Sequence, residues 1–315
     1  MIRRLLYLLV LLPRLAAAAL PQPAVAFTFD DLPFASVASE DDAALASMTV
    51  RLVHRLQAEQ VPAVGFVNEA KLHRDGTPDP ARVALLRTWL DGGFELGNHT
   101  YSHPSLDQVP LDAFEADVLR GEAVTRPLMQ EAGRTLRWFR HPFLAEGTTP
   151  EIRAAFTRFL TAHGYRVAPV TVNSAEWVFA AAYARALAQG NADAAQQIAN
   201  AYVPYMQAAF AQAGQLALDL FGRPIAQVVV LHANQLNADH VGALVAMLRQ
   251  RGYRFVSLDD ALADPAYATP PGVTGVEGES WLEGWARQAG LRPPALPPLP
   301  GIVRQWAGPA AYSTH

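Results

Sequence analysis

Short apolar runs alternate along the chain with longer segments in which apolar residues recur at helical spacing. Within residues 41–60 that spacing is carried by Leu45, Met48, Leu52 and Leu56. A period of three to four residues predicts an amphipathic helix with one face turned toward a core. The apolar runs are too short for such a helix, and they predict strands that are buried on both faces.

The alternation predicts an α/β protein built on a mostly parallel sheet. The predicted strands span seven runs: 24–29, 61–67, 94–96, 136–139, 166–172, 225–231 and 253–258. The helical pattern covers 41–60, 80–90, 111–132, 150–163 and 239–251. These elements fit either a doubly wound sheet or an incomplete barrel.

Polar residues that could act in catalysis or in metal binding follow five of the predicted strands. The sequences at these strand ends are TFDD, GNHTYSH, RWFRHPF, NSAEW and VLHAN. In α/β barrels the carboxyl ends of the strands form the catalytic face, where loops from several strands meet. The placement therefore favours the barrel, and it predicts that the five motifs share one pocket.

Two imidazoles and a carboxylate can form a three-ligand metal site with an open coordination position, which suits the activation of water. His99 and His103 are four residues apart, a spacing that predicts a shared face of one helical turn. The alternative is a pair of unrelated surface histidines. Asp30 and Asp31 offer one carboxylate for the metal and a second as general base, although adjacent aspartates after a strand also commonly cap turns.

The five motifs, in this order over residues 24–260, resemble the polysaccharide deacetylase family, also called the NodB-homology domain or carbohydrate esterase family 4. The resemblance implies a distorted, incomplete (β/α) barrel of about seven parallel strands, here with an inserted helical segment. It also implies metal-dependent removal of acetyl groups from polysaccharides, which is hydrolysis of a non-peptide carbon–nitrogen bond when the acetyl group is on nitrogen.

The resemblance assigns roles to the residues of the first two motifs. Asp31, His99 and His103 are the expected metal ligands, and Asp30 is the expected base. The expected cofactor is one divalent ion, Zn²⁺ first, with Co²⁺, Ni²⁺ and Mn²⁺ as alternatives.

The remaining motifs complete the expected site. Arg140 is expected to orient the base, and the backbone N–H of Phe143 to hold the oxyanion together with the metal. His232 can protonate a leaving amine, because imidazole titrates in the required range. Glu176 is expected to orient and charge His232, and Trp177 to form a wall of the pocket.

Three positions depart from the family's usual residues. Phe143 stands where tyrosine is frequent, but the expected oxyanion contact uses its backbone and does not need a hydroxyl group. Glu176 replaces the usual aspartate before the tryptophan, and Asn173 stands where an aspartate is common. Residue 176 keeps a carboxylate, on a side chain that is longer by one methylene group. The departures at 173 and 176 therefore affect the orientation and charge of His232.

Composition and net charge limit the classes of partner and of metal ligand that are possible. Of the 315 residues, 51% are hydrophobic and 17% charged, which allows a large core. The net charge of −4 gives no electrostatic footprint for nucleic acid. The partner that the resemblance implies is an acetylated carbohydrate. The absence of cysteine excludes disulfides and thiolate ligands, and any metal must be held by histidine and carboxylate.

Residues 1–19 have the pattern of a secretory signal peptide. Arg3 and Arg4 precede the apolar stretch 5–12, and alanines at 16–19 offer a cleavage region. The alternative is a retained anchor, but the uninterrupted apolar stretch is too short to cross a bilayer. An exported bacterial protein, periplasmic or secreted and without a membrane span after cleavage, is expected.

The rest of the chain is expected to form a barrel over 20–263 and a Pro/Gly-rich extension over 264–315 that packs on it. Residues 178–223 are Ala- and Gln-rich and predict a helical pair inserted between two strands, which either flanks the pocket and restricts the substrate or only packs. Trp281 and Trp285 lie on one face of a short predicted helix, where they could stack on sugars or fasten the extension to the barrel.

Three functions remain open from the sequence. The first is a deacetylase of an N-acetylated glycan or a related amide. The second is a ureide or cyclic-amide hydrolase on the same fold, and the third is a carbohydrate-binding protein on an inactive scaffold. The presence of both Asp30 and His232 favours an enzyme over the third.

Overall fold

The computed structural model describes residues 22–273 and 275–308. The predicted signal peptide at 1–19 lies outside the described residues. Within the described part of the chain, no helix has both the length and the apolar character needed to cross a membrane.

Nine strands form two sheets. They are β1 (Ala24–Leu32), β2 (Ala63–Val67), β3 (His73–Arg74), β4 (Thr77–Pro78), β5 (Glu95–Asn98), β6 (Trp138–Phe139), β7 (Arg166–Val167), β8 (Ala226–His232) and β9 (Arg254–Phe255), counted over the described residues. Strands β3 and β4 form a small antiparallel hairpin that the sequence pattern did not predict.

The described helices alternate with the strands of the main sheet. They are α1 (Asp42–Ala58), α2 (Pro80–Asp91), α3 (Leu111–Arg120), α4 (Thr125–Glu131), α5 (Pro150–Ala162), α6 (Glu176–Ala188), α7 (Ala192–Phe221), α8 (Gln235–Gln250), α9 (Leu258–Leu262), α10 (Trp281–Gln288) and α11 (Gly301–Ala307). Side-chain caps at Asp41, Asp79 and Thr149 start α1, α2 and α5, because each accepts a hydrogen bond from a free backbone N–H of the first turn.

The main sheet is an incomplete parallel barrel, which confirms the predicted fold class. Its strand order is β7-β6-β5-β2-β1-β8, and β9 pairs with the start of β1. Between β7 and β8 the sheet is not continuous, and Val172 forms an isolated parallel bridge with Val229 of β8. The predicted strand 166–172 is therefore a two-residue strand followed by this single bridge.

Two predicted elements differ from the structure. The predicted helix 111–132 is two helices, because the buried carboxylate of Glu69 accepts hydrogen bonds from the N–H groups of Val124 and Thr125 and starts α4 separately. The predicted strand 253–258 is limited to β9, since the Ser257 hydroxyl caps α9 immediately afterwards.

Large aromatic side chains fill the core between β1 and the helix layer outside the sheet. Phe27, Phe29 and Trp89 are buried, and the rings of Phe29 and Trp89 lie 5.4 Å apart. Burying each such side chain stabilises the fold by roughly 1.5–3 kcal/mol. This packing fixes β1 in the centre of the sheet, with its carboxyl end at the mouth.

Helices α6 and α7 form the predicted helical pair, and the chain turns between them at Gly190, which has a positive φ of 68°. They pack against each other, and α6 also contacts α8 and α11.

In the extension, the Trp285 indole donates to the carbonyl oxygen of Thr269 and its ring contacts Trp281 and Tyr267. The two tryptophans thus pack into the extension, as the fastening interpretation expects.

Gly121, at the end of α3, touches the backbone of the loop that carries the two histidines. A Cβ atom there would lie 2.4 Å from the carbonyl carbon of Thr100 and 2.6 Å from the nitrogen of Tyr101. Only glycine allows this approach, because backbone atoms cannot yield as the end of a side chain can.

We predict that Gly121→Ala destabilises the fold by about 1–3 kcal/mol, because the added methyl group must displace the histidine loop. The measurement is the free energy of unfolding in urea. Gly214→Ala in α7 is the control, since its Cβ would meet only the Tyr253 hydroxyl, at 3.8 Å, and alanine is favoured inside a helix. Equal stability of the two variants would contradict the prediction.

Candidate active site

An irregularity in β1 brings the carboxylates of two adjacent aspartates to the same end of the barrel. Phe29 pairs with Gly65 and Leu32 with Val67, so Asp30 and Asp31 oppose a single residue of β2. In a regular strand neighbouring side chains point to opposite faces, but a bulge re-aims one of them. Asp31 has a positive φ of 66° at this point. Both carboxylates therefore reach the mouth of the barrel.

The register of β1 and β8 places the first aspartate beside the candidate acid. Asp30 is the direct partner of His232 in the parallel ladder. Paired residues of neighbouring strands carry their side chains on the same face of the sheet. The two groups predicted to exchange protons with a substrate thus arise from adjacent strand ends.

The two histidines come together through a loop, and the prediction that they share a helical turn is wrong. No helix covers His99–His103, and Thr100 and His103 have positive φ values of 66° and 59°. The Asn98 side chain accepts from the Thr100 N–H at 2.7 Å, and the Thr100 hydroxyl accepts from the His103 N–H at 3.0 Å. These side-chain bonds, and not helical hydrogen bonds, bring the rings to a centroid distance of 4.8 Å.

Asp117 of α3 fixes the outer part of the same loop. Its carboxylate accepts hydrogen bonds from the N–H groups of Tyr101 and Ser102 and from the Ser102 hydroxyl, at 2.9–3.0 Å. On the inner side, the Asn98 amide donates to the Val118 carbonyl oxygen and to the Tyr165 hydroxyl, both at 2.9 Å. The loop is consequently held from two sides by side chains that the sequence analysis did not single out.

Asp31, His99 and His103 form a group that could hold a metal ion, with ligand atoms that lie within 4.8 Å of one another. His99 Nδ1 donates to the carbonyl oxygen of Arg140 at 2.8 Å, which leaves Nε2 as the ligand atom. Burial lowers the pKa of both histidines to about 4, so they are neutral at pH 7. Asp31 Oδ1 is buried without a hydrogen-bond partner among the described residues.

Lys71 adds a cation that the sequence analysis missed. Its Nζ lies 3.0 Å from Asp31 Oδ2 and also donates to the Phe34 carbonyl oxygen. Burial alone would raise the pKa of Asp31, but Lys71 and the nearby histidines hold that pKa well below its usual range. Asp31 is therefore ionised, with one oxygen facing lysine and the other facing His103, 3.7 Å from its Nε2.

Asp30 is buried beside Arg140. The guanidinium Nη1 lies 3.5 Å from Asp30 Oδ2, and Nη2 donates to the Thr28 hydroxyl at 2.9 Å. Burial raises the pKa of Asp30, and Arg140 opposes that rise. Asp30 Oδ1 has no hydrogen-bond partner among the described residues, so one oxygen of this carboxylate is not committed to the protein.

His232 is held by Glu176, at the start of α6. The His232 Nδ1 donates to Glu176 Oε2 at 2.7 Å, which directs Nε2 away from Glu176. The other oxygen, Oε1, accepts from the side-chain amides of Asn234 and Asn237, each at 2.6 Å. Burial lowers the pKa of His232, but Glu176, together with Asp31 and Asp30, more than offsets this and leaves it raised.

Asn234 and Asn237, which follow His232 in the chain, are fully buried. Asn237 also accepts from the Tyr202 hydroxyl of α7 at 2.8 Å. The inserted helices thereby support the Glu176–His232 pair from the side remote from the pocket. The sequence shows the two asparagines in HANQLN, but nothing in that motif distinguishes a residue that supports His232 from one that contacts a ligand.

The candidate groups open onto a cavity of about 270 Å³. Its walls are Asp30, His99, His103, Phe143, Leu144, Asn173, Trp177, Val230, His232, Glu277 and Gly278. Phe143 and Trp177 are among these wall residues, whereas Asp31, Arg140 and Glu176 are not. No residue of 178–223 is among the wall residues described.

His141, to which the sequence gave no role, lies outside that cavity. Its ring is buried against Phe139 and Phe156, and Nδ1 donates to the Ala145 carbonyl oxygen at 3.0 Å. This hydrogen bond stabilises the loop after β6, and His141 is not among the residues that line the cavity.

Comparison with known proteins places the fold. Residues 17–168 match the family model described as polysaccharide deacetylase. Residues 17–168 carry a polysaccharide deacetylase domain. This confirms the family predicted from the motifs, and the matched range contains the aspartate, histidine and Arg140 motifs. Among curated proteins, no sequence matches the chain.

Solved structures with the same fold are distant in sequence. A family 4 carbohydrate esterase pseudoenzyme from Bacillus anthracis is 13% identical, with 78% of this chain and 66% of that chain aligned at a TM-score of 0.50. A mutant of that protein with restored enzymatic activity is 16% identical, with 78% and 69% aligned at 0.50. A family 4 carbohydrate esterase from Streptomyces lividans with bound acetate is 18% identical, with 77% and 97% aligned at 0.47. The two Bacillus anthracis structures show that the deacetylase domain shares their fold.

We predict that the purified chain binds one divalent ion and that the double substitution His99→Ala, His103→Ala abolishes this binding, because two of the three ligands are lost. Elemental analysis after dialysis measures the metal content. The control removes two exposed histidines, His54→Ala and His163→Ala, and should keep the wild-type content. Equal metal in both double variants would exclude this site.

Proposed function

We propose that the protein is a metal-dependent hydrolase that removes acetyl groups from an N-acetylated glycan or a related amide. The observation that carries this proposal is the convergence of two separate units on one small cavity. One unit is the metal-ligand group Asp31, His99 and His103, and the other is the proton-transfer pair Asp30 and His232. A protein that only bound sugars would not need both.

The ligand set suits a divalent ion such as Zn²⁺. Neutral imidazoles and an ionised carboxylate are the donors that such an ion requires, and three protein ligands are typical of a catalytic zinc site. The unpartnered oxygen of Asp31 supports this fit, because a buried carboxylate oxygen without a partner is costly. When bound, the ion supplies Lewis-acid activation of the scissile carbonyl group and of water.

Asp30 removes a proton from the attacking water. Its pKa is raised by burial, which makes the carboxylate a stronger base than an exposed aspartate. Arg140 keeps it ionised and fixes its position from Oδ2, while Oδ1 is left to receive the proton. The closeness of His99 Nε2, 3.9 Å from Asp30 Oδ2, places this base beside the metal ligands.

His232 donates a proton to the leaving nitrogen. Because Nδ1 is bound to Glu176, the proton to be transferred lies on Nε2. His232 lines the cavity, so a leaving nitrogen held there could accept this proton. The carboxylate of Glu176 stabilises the imidazolium form, and the two asparagine amides hold that carboxylate in place. Glutamate at 176 thus makes the contact expected of the family's shorter aspartate.

The proposed setting is outside the cytoplasm, since residues 1–19 have the signal-peptide pattern. The substrate there is an acetylated carbohydrate, and the products are acetate and a free amine. Release of acetate from a panel of N-acetylated glycans, assayed with Zn²⁺-loaded protein, tests the proposal directly. No acetate from any member of the panel would refute it.

We predict that Asp30→Asn and His232→Ala each lower kcat by about 10²–10⁴, as removal of a general base or acid typically does. Both variants should retain metal, because neither residue belongs to the ligand group. The measurement combines kcat with metal content. Wild-type turnover in either variant would contradict the assigned role, and loss of metal would assign the residue to the ligand set.

We also predict that Glu176→Gln moves the alkaline limb of the pH–kcat profile to lower pH. The acid acts only while His232 is protonated, and Glu176 raises the pKa of His232. Without that carboxylate the pKa falls, so activity is lost earlier as the pH rises. Glu176→Asp is the control that restores a carboxylate, and it should keep the limb closer to wild type. An unshifted limb in Glu176→Gln would show that Glu176 does not tune the acid.

A further inference from the structure

The C-terminal extension contributes part of the cavity wall. We call residues 276–278 the closing segment; two of them, Glu277 and Gly278, line the cavity together with the candidate catalytic groups. They are the wall residues that lie outside the five motifs and the barrel, and they follow a stretch rich in proline and glycine with no periodic pattern.

The closing segment is joined to the loops that follow two different parts of the sheet. The Gly278 N–H donates to the Phe143 carbonyl oxygen at 2.7 Å, and the Asn173 amide donates to the Gly278 carbonyl oxygen at 2.7 Å. Gly278 has a positive φ of 77°, which glycine adopts without strain. The segment therefore bridges the loop after β6 and the loop after Val172, where the barrel is incomplete.

Glu277 is braced by a third loop. Its Oε1 accepts hydrogen bonds from the Ser105 hydroxyl and from the Gln108 amide, the latter at 2.9 Å. Both residues follow the histidine loop after β5. The two bonds use the same oxygen, so Oε2 takes no part in the bracing. The carboxylate is half-buried at the cavity wall, in a position to accept hydrogen bonds from a ligand.

The base of the closing segment is also fixed. The Trp281 N–H donates to the Val170 carbonyl oxygen at 2.8 Å, and the Trp281 indole donates to the carboxylate of Glu146. Ser280 and Glu283 form a capping box at the start of α10. These contacts hold the extension against the gap in the barrel, directly beside the cavity.

The size of the cavity limits what can enter. About 270 Å³ lies just below the roughly 300–1,000 Å³ of common small-molecule sites. Such a volume is suited to one acetylated sugar ring. An internal residue of a polysaccharide also needs exits on two sides for its neighbours, and the closing segment occupies the side formed by the loops after β5 and β6.

We propose that the closing segment limits the substrate to a single or chain-terminal N-acetylated sugar, and that Glu277 accepts hydrogen bonds from the hydroxyl groups of that sugar. This inference rests on the proposed deacetylase function. It assigns substrate selection to the extension, whereas the sequence analysis gave this as one of two possible roles of the helical insertion.

The site of deacetylation tests the size limit. Zn²⁺-loaded protein is given N-acetylglucosamine, its β-1,4-linked tetramer and the polymer, and mass spectrometry locates the free amine in the products. We expect turnover of the monosaccharide or of one terminal residue of the tetramer. Equal deacetylation of internal residues would overturn the inference and leave the proposed function intact.

Variants of Glu277 test the contact. Glu277→Ala should raise KM for the short substrates about 10-fold, as expected when a charge-assisted hydrogen bond is lost, with kcat changed less than about 2-fold. Glu277→Gln keeps an acceptor for Ser105 and should show a smaller rise. Glu279→Gln is the matched control, because Glu279 pairs with Arg287 and does not line the cavity.

Binding separates this inference from the proposed function. If the wild-type protein releases no acetate, the proposed function fails, but calorimetric titration with N-acetylglucosamine still measures the contact. Binding weakened about 10-fold in Glu277→Ala but not in Glu279→Gln supports the assignment. Equal affinity of both variants, with unchanged melting temperatures, overturns it.

Discussion

The bulge in β1 is the constraint on which the candidate site depends. A regular strand would send Asp30 and Asp31 to opposite faces of the sheet, and a metal ligand and a base could not then come from adjacent residues. The bulge brings both to the mouth, while the ladder with β8 sets His232 beside Asp30. One local irregularity and one register therefore fix the relative positions of the proposed metal ligands, base and acid.

Buried charge is the second requirement of this arrangement, and each charge has its own partner. Lys71 faces Asp31, Arg140 faces Asp30, and the amides of Asn234 and Asn237 face Glu176. Unpaired charges in such a place would neutralise by shifting their pKa values. Lys71 thus favours the ionised form of Asp31, and Arg140 opposes the rise in the pKa of Asp30 that burial causes. The ionised form is the one that the proposed roles of these two aspartates require.

Much of the site could be predicted from the sequence because strand ends in a parallel barrel converge. That rule alone places Asp30, His99, Arg140 and His232 together. The bulge was not predictable, since two adjacent aspartates after a strand look the same with or without it. The spacing of His99 and His103 gave the wrong local structure, because hydrogen bonds from side chains override the helical preference of a four-residue interval. Glu277 was missed for a different reason: 172 residues separate it from its partner Ser105, and no periodic pattern marks it.

The closing segment gives the cavity two parts with different stabilities. The catalytic groups are set by the barrel strands and a large buried core, whereas the wall at Glu277 and Gly278 is held by a few hydrogen bonds from an irregular segment. Local opening of proteins follows such differences in contact density. We therefore expect the wall to open more readily than the strands that carry the proposed metal ligands, base and acid. Changes in the extension should then reshape the cavity without rebuilding the candidate catalytic groups.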